Sequence, residues 1–390
     1  IAEVLCKQGG AVLTMDVSVL GEAAGPTDVS KHEVAAAADS SIVEAIAAQD
    51  ENFAMQVMAR GAAVLAARMF ADGRFDGVLI LGGTMGTDLA LDVCSALPLG
   101  VPKYIVSTVA FSPLIPAARL PADIQMILWA GGLYGLNSVC KASLSQAAGA
   151  VLGAARAVER PNRTRPLIGM TSFGKSFLSY MVQLKPALEA RGFEVAVFHA
   201  TGMGGRAFES LAAQGAFACV FDFATQEVGN HINFSAITAG EDRLTAAGLC
   251  GTPQIVAPGC YDLVDLVGWQ PLPAQLEGLV AHAHNRLVTS VVLDVPRRIA
   301  VAQALAERLA RAKGPSAFIL PLGGCHALDR VGADLHDAAG ITAFAAEMRK
   351  VCPEQVVLHE TQAHINDAAF CDLALQIFDD WCAKGLVARD

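Results

Sequence analysis

Short β-rich apolar runs alternate with long helical patterns along almost the whole chain, and this alternation leaves few folds open. Neighbouring parallel strands need a crossover of a dozen or more residues, usually a helix, which then covers a face of the sheet. A chain written this way predicts an α/β fold of parallel sheets wrapped on both sides. In the first half, strands are expected at 11–17 (AVLTMDV), 75–83, 102–108 and 124–129, and helices near 40–71, 86–97 and 135–158. Around 159–166 (ERPNRTRP) the periodicity stops and charge, Asn162 and two prolines take over. The alternation then restarts with strands in RPLIGMTS, FEVAVFHA, FACVFDFA, TPQIVAPG, RLVTSVVLD, SAFILPLGG and EQVVLHE. Helical patterns lie between them at 175–191, 206–214, 296–312, 341–351 and 366–383. The reading is two Rossmann-like doubly wound domains with mostly parallel sheets and an interdomain cleft. Residues 1–160 form the first, lacking its opening strand, and 161–390 the second. A length of 390 residues suits two cores.

The composition narrows the partners. The net charge of −10 argues against a general nucleic-acid surface, which needs clustered Lys and Arg. Mean hydropathy is positive, yet charged residues, Gly or Pro interrupt every apolar stretch before roughly 18 residues, so no transmembrane helix is expected. No positively charged leader with an apolar block is seen, and IAEVLCKQGG, starting at Ile1, reads as the second half of a helix whose beginning is missing. Ten cysteines are scattered through apolar runs without a C-x-x-C pair, which predicts reduced, buried thiols and a cytoplasmic protein.

In open α/β sheets, ligands sit beyond the carboxyl ends of the strands. Here those loops are rich in glycine. LGGTMGTD (81–88) offers Gly82, Gly83 and Gly86 for close backbone approach, with Thr84 and Thr87 as hydroxyl donors to a phosphate or carboxylate. HATGMGGRAFE (199–209) repeats the arrangement with Gly202, Gly204, Gly205 and Arg206. VAPGCYD (256–262) and LPLGGCHALD (320–329) are two further strand-end turns; Asp262 and Asp265 bind a ribose or cap a turn, and Cys325 beside His326 invites comparison with a nucleophile and its base.

GMTSFGKS (169–176) fits the letters of a phosphate-binding loop. A working loop needs its strand to end at the first glycine. Only Pro166, Leu167 and Ile168 precede Gly169, so the strand is expected to run through it, with Lys175 and Ser176 at a strand–helix junction facing the cleft. Eight of the nine histidines fall in the second half. His282 and His284 stand two apart and His359 and His364 five apart, neither being the helical zinc spacing, so no metal ligands are assigned. Histidines at strand ends serve equally as hydrogen-bonding or acid–base groups.

Taken together, LGGTMGTDLA, ALPLGVPKYIVST, VFHATGMGGRAFE, AGEDRLTAAGLCGTPQIVAPG, HAHNRLVTS, FILPLGGCHALD and AHINDAAF resemble the Tm-one-like ATP-binding family, in the same order and over essentially the whole chain. The resemblance implies a two-domain Rossmann-like homodimer that binds ATP, with or without Mg²⁺. It puts nucleotide contacts at Gly82, Gly83, Thr84, Gly86, Thr87, Ser107 and Thr108, and looser ligand contacts at Gly202, Gly204, Gly205 and Arg206. The family's T-x-D-T-K loop, expected near phosphate, does not occur in this chain.

Three functions remain open at this point. One is an ATP-dependent enzyme on a small metabolite, with Glu227, His284 and His364 as candidate catalytic groups and no role for nucleic acid or membrane. Another is a non-catalytic interaction module with regulatory ATP. The third is a metal-dependent hydrolase using the C-terminal His cluster.

Overall fold

The computed structural model describes residues 1–131, 135–159, 164–174 and 178–389. Contacts divide the chain into two compact units, Ile1–Asn162 and Arg163–Asp390. The expected boundary between residues 160 and 161 lies outside the described residues.

The first unit runs α1 (Ala2–Lys7), α2 (Lys31–Ala37), α3 (Ile42–Ala47), α4 (Glu51–Ala71), β1 (Val78–Gly82), α5 (Thr84–Ala96), β2 (Lys103–Ser107), β3 (Ile124–Leu128) and α6 (Ser138–Ala157). Its sheet has three parallel strands in the order β1-β2-β3. Side chains start the helices: Ser30 and Glu33 close a capping box on α2, Asp50 accepts the Asn52 and Phe53 amides on α4, and Asn137 caps α6. Gly61 lets α4 touch α2, because a Cβ there would lie 1.8 Å from the Val34 carbonyl oxygen.

Residues 11–17 do not form the expected strand. Met15 makes one parallel bridge to Val29, and Leu13, Met15 and Val17 pack against the α4 core, so the apolar alternation serves packing without a ladder.

The second unit runs β4 (Leu167–Ser172), α7 (Leu178–Ala190), β5 (Glu194–His199), α8 (Met203–Ala213), β6 (Cys219–Ala224), α9 (Gln226–Ile232), α10 (Ala246–Leu249), β7 (Gln254–Gly259), β8 (Leu263–Val267), β9 (Ala281–Ala283), β10 (Val288–Val292), α11 (Val295–Leu309), β11 (Ser316–Pro321), α12 (Ala338–Val351), β12 (Val356–Thr361) and α13 (Ala368–Ala383). Six parallel strands form its main sheet in the order β12-β11-β7-β6-β4-β5. The winding reverses between β4 and β6, the doubly wound pattern. Successive residues of one strand face opposite layers. Ala317 and Ile319 join the core with Leu184, Phe370 and Phe378, while Phe318 and Leu320 join Leu305, Phe344 and Met348 on the other face.

RLVTSVVLD does not extend this sheet as expected. It forms β10, antiparallel to β8 and β9 in a separate three-stranded sheet. Only three residues join β7 to β8, too few for a parallel crossover, and Cys260 turns the chain there at φ 52°.

Gly169 lies inside β4, as the sequence suggested. A Cβ there would come within 2.9 Å of the Phe208 and Phe217 rings, which stack 5.3 Å apart. This glycine makes room for aromatics and does not open a phosphate loop. Lys175 and Ser176 lie outside the described residues.

Candidate functional site

Two glycine-rich strand-end loops lead into helices, one in each unit, and they differ at the helix start. In the first unit, β1 ends at Gly82 and α5 begins at Thr84 with Gly83 as its cap residue. A Cβ on Gly82 would sit 2.4 Å from Gly86 backbone atoms, so glycine is what lets α5 fold back against its own strand. The first amides of a helix have no intrahelical acceptor. Gly83 offers them no side chain, and among the described residues none is seen to accept from them. Thr84 is exposed, while Gly83, Gly86 and Thr108 are half-buried around the opening. The Thr108 amide bonds to the Gly82 carbonyl at 3.2 Å, bringing the end of β2 alongside.

Thr87 and Ser107 are placed differently from the other expected contacts. Both are buried, and their hydroxyls bond each other at 2.7 Å, tying α5 to β2. On the other side of the loop, Met85, Gly86 and Leu89 border an apolar cavity of about 510 Å³, together with Val17, Leu20, Met55 and Met58.

In the second unit the corresponding helix start is already filled. Glu227, fully buried, accepts the Gly202 amide at 2.5 Å and the Gly205 amide at 3.2 Å. Its carboxylate therefore sits where an anion would sit on α8. Gly205 has no room for a Cβ, which would lie 1.8 Å from Glu227 Oε2, and a Cβ on Gly204 would lie as close to the His199 carbonyl oxygen. Arg243 Nε donates to Glu227 at 2.6 Å, and the same guanidinium reaches Asp222 and Glu209. Burial works against the Arg243 charge, but Asp222, Glu227 and Glu209 hold it well above its usual range. Burial raises the Glu227 and Glu209 carboxyls, with Arg243 pulling the other way. Arg206 is engaged by Asp242 at 2.6 Å. Glu227, read from sequence as a candidate catalytic group, is a buried anchor for the Gly202–Gly205 turn.

His284 is exposed between β9 and β10, with its amide on the Val288 carbonyl. His364 lies elsewhere in the unit and is buried. It joins a polar cluster beyond β7, β11 and β12 that contains Asp262, His326, Asp329 and Arg298. His364 Nδ1 accepts the Asn366 amide, so Nε2 carries the proton and donates to Asp329 Oδ1 at 2.9 Å. Asp329 also accepts the Cys325 and His326 amides. His326 Nε2 stands 3.3 Å from Asp262 Oδ2 and 3.9 Å from Asp329 Oδ2. Burial works to lower the His326 pKa, but Asp262 and Asp329 raise it above the ordinary imidazole value. Burial works to raise Asp262, yet His326 and Arg298 hold it below the usual carboxylate value. Cys325 is not poised as a nucleophile, since burial pushes its thiol far up.

Sequence spacing singled out His364 but not this grouping, whose members are brought together by three strand ends. The Gly323-Gly324 turn was the available signal. Gly324 has φ 124°, and a Cβ there would meet Asp329 and His364 atoms at 2.6 Å.

The profile of the N-terminal domain of an uncharacterised protein family, UPF0261, matches residues 1–160, and that of its C-terminal domain matches residues 165–382. The chain belongs to the UPF0261 family. A UPF0261 protein of Brucella suis biovar 1 is 50% identical over 389 residues, covering 100% of this chain and 93% of its own length. A UPF0261 protein of Clostridium tetani is 34% identical, over 95% of this chain and 92% of the relative. The chain is also similar to the ToMV resistance protein Tm-1 of Solanum lycopersicum, at 30% identity over 77% of this chain and 41% of the tomato protein. Among the described residues, no helix is long and apolar enough to cross a membrane.

Proposed function

We propose that this UPF0261 protein binds ATP, with the phosphates at the start of α5. The observation that carries the reading is the contrast between its two glycine-rich helix starts. At α8 the turn is filled by the protein's own Glu227, whereas at α5, among the described residues, no side chain accepts from the first amides. Those amides and the helix dipole favour an anion. Gly83, Thr84, Gly86 and Thr108 are the contacts retained from the sequence, while Thr87 and Ser107 position the loop. The neighbouring apolar cavity suits the base or another uncharged part of the ligand. The resemblance to an ATP-binding family supports the same choice. On this reading Mg²⁺ arrives with the nucleotide, and the protein acts as a cytoplasmic homodimer with a small metabolite as its other ligand.

Glu227 and His364 are already engaged by protein partners, which favours ATP as a bound ligand over ATP as a reactant. ATP with Mg²⁺ is therefore expected to stabilise the protein by about 2.7 kcal/mol at 100 times its dissociation constant. Phosphate release without a second substrate should stay at the level of buffer. Thr84→Pro provides the local test. Proline is tolerated at the first helical position and removes one amide donor there. Calorimetry should show at least a tenfold loss of ATP affinity with an unchanged melting temperature in buffer. Equal binding by the variant, or no binding by the native chain, would remove the proposal.

A further inference from the structure

We propose that Asp262, His326 and Asp329 bind one divalent transition-metal ion beyond the carboxyl ends of β7 and β11. One ligand atom from each of the three lies within 4.8 Å of the others, and all three residues are buried. The Asp262 separation is that of a long hydrogen bond and also of two ligands on one ion, while the Asp329 oxygen would have to move closer to reach the same ion. His326 Nε2 is 3.3 Å from Asp262 Oδ2 and 3.9 Å from Asp329 Oδ2. An N–H···O bond usually closes to about 2.7–3.2 Å. Ligands about 2.0–2.2 Å from a shared tetrahedral ion stand roughly 3.3–3.6 Å apart.

A second observation comes from the unpaired atoms. Asp262 is 2% exposed, and its Oδ1 has no hydrogen-bond partner. A buried carboxylate oxygen left bare is costly, and a cation held by both oxygens of Asp262 would satisfy it. The nearby cation does not do so. Arg298 Nη2 is 3.1 Å from Asp337 but 3.9 Å from Asp262 Oδ2. Two carboxylates thus face one imidazole, with the Arg298 guanidinium 3.9 Å from one of them.

The surroundings hold the ligands in place. Asp329 is fixed by the Cys325 amide and by His364 Nε2, the kind of outer support that metal-binding carboxylates receive. Three protein ligands of mixed N and O type suit Zn²⁺ or Mn²⁺ and leave a fourth position for water or substrate. Binding has a definite cost. A metal on Nε2 puts the ring proton on Nδ1, where the Leu328 amide now donates at 3.2 Å, so that weak bond must be given up.

The test uses the full chain, stripped with chelator and titrated with Zn²⁺. Elemental analysis should give one zinc per chain, and X-ray absorption a first shell of nitrogen and oxygen only. His326→Gln and Asp262→Asn should each bind zinc at least tenfold more weakly. A stoichiometry below one-tenth, sulfur in the first shell, or a folded His326→Gln that binds as tightly as the native chain would overturn the site. If neither variant folds, the stoichiometry and absorption spectrum of the native chain decide the question.

Discussion

The Glu227 carboxylate caps the Gly202 amide from inside the protein, so α8 carries its own anion. The same carboxylate is held by Arg243, within a group of four buried charged residues. Glu227→Gln should therefore cost about 3 kcal/mol, the lower end for breaking a buried pair, because Asp222 and Glu209 still hold Arg243. Urea denaturation measures the loss. ATP affinity should be unchanged, since the proposed phosphate site is at α5; a loss in the folded variant would count against that placement.

Gly82 and Gly83 should respond oppositely to alanine. The Gly82 Cβ would overlap Gly86 at 2.4 Å, whereas the Gly83 Cβ would meet Thr108 Oγ1 at an ordinary 3.7 Å. Gly82→Ala is expected to destabilise by about 1–3 kcal/mol through overpacking and to abolish ATP-dependent stabilisation. Gly83→Ala should stay within about 0.5 kcal/mol of the native chain. Thermal unfolding with and without ATP separates the two.

Thiol chemistry should divide the ten cysteines. Cys6 and Cys250 are exposed, whereas burial pushes Cys94 and Cys371 up to about 12. At pH 8 a thiol reagent should modify Cys6 and Cys250 quickly and leave Cys94 and Cys371 untouched until the protein unfolds. Mass spectrometry of the timed reaction identifies the sites.

Asp379 offers a pH test. The Arg191 guanidinium bonds both its oxygens and holds its carboxyl below the ordinary carboxylate range. A lowered folded pKa gives stability that is present above the unfolded value and lost as pH falls through the folded one. Both groups are substantially exposed, so Asp379→Asn should cost only about 0.2–1 kcal/mol at pH 7. The difference should disappear on acidification below pH 3.8, as followed by denaturation at several pH values.

The main sheet of the second unit was legible because each strand carries a compact apolar run and most crossovers a helical pattern; the β6–β7 crossover, with the short α9 and α10, was not read as helical. Even Gly169 could be placed inside β4 from the residues before it. The antiparallel β8-β10-β9 sheet was not, since β10 has the same apolar run as a buried parallel strand. What distinguishes it is the three-residue connection before β8, which depends on where β7 ends. At the loops, glycine marked close approach correctly but did not say to what: Gly205 admits Glu227, and Gly82 admits Gly86. The Asp262, His326 and Asp329 grouping was hidden because Asp262 is remote in sequence from the other two, and only sheet order unites them.

The small antiparallel sheet also has a consequence for assembly of the fold. It lies in the chain between β7 and β11, which are neighbours in the main sheet, so their pairing must close a long intervening segment. Closure over longer separations costs more chain entropy and tends to be slower. The block β5-β4-β6-β7 is then expected to gain protected amides before β11 and β12 dock, leaving β7 briefly as an open edge. Pulse-labelled hydrogen exchange during refolding would show that order, and simultaneous protection of all six strands would refute it.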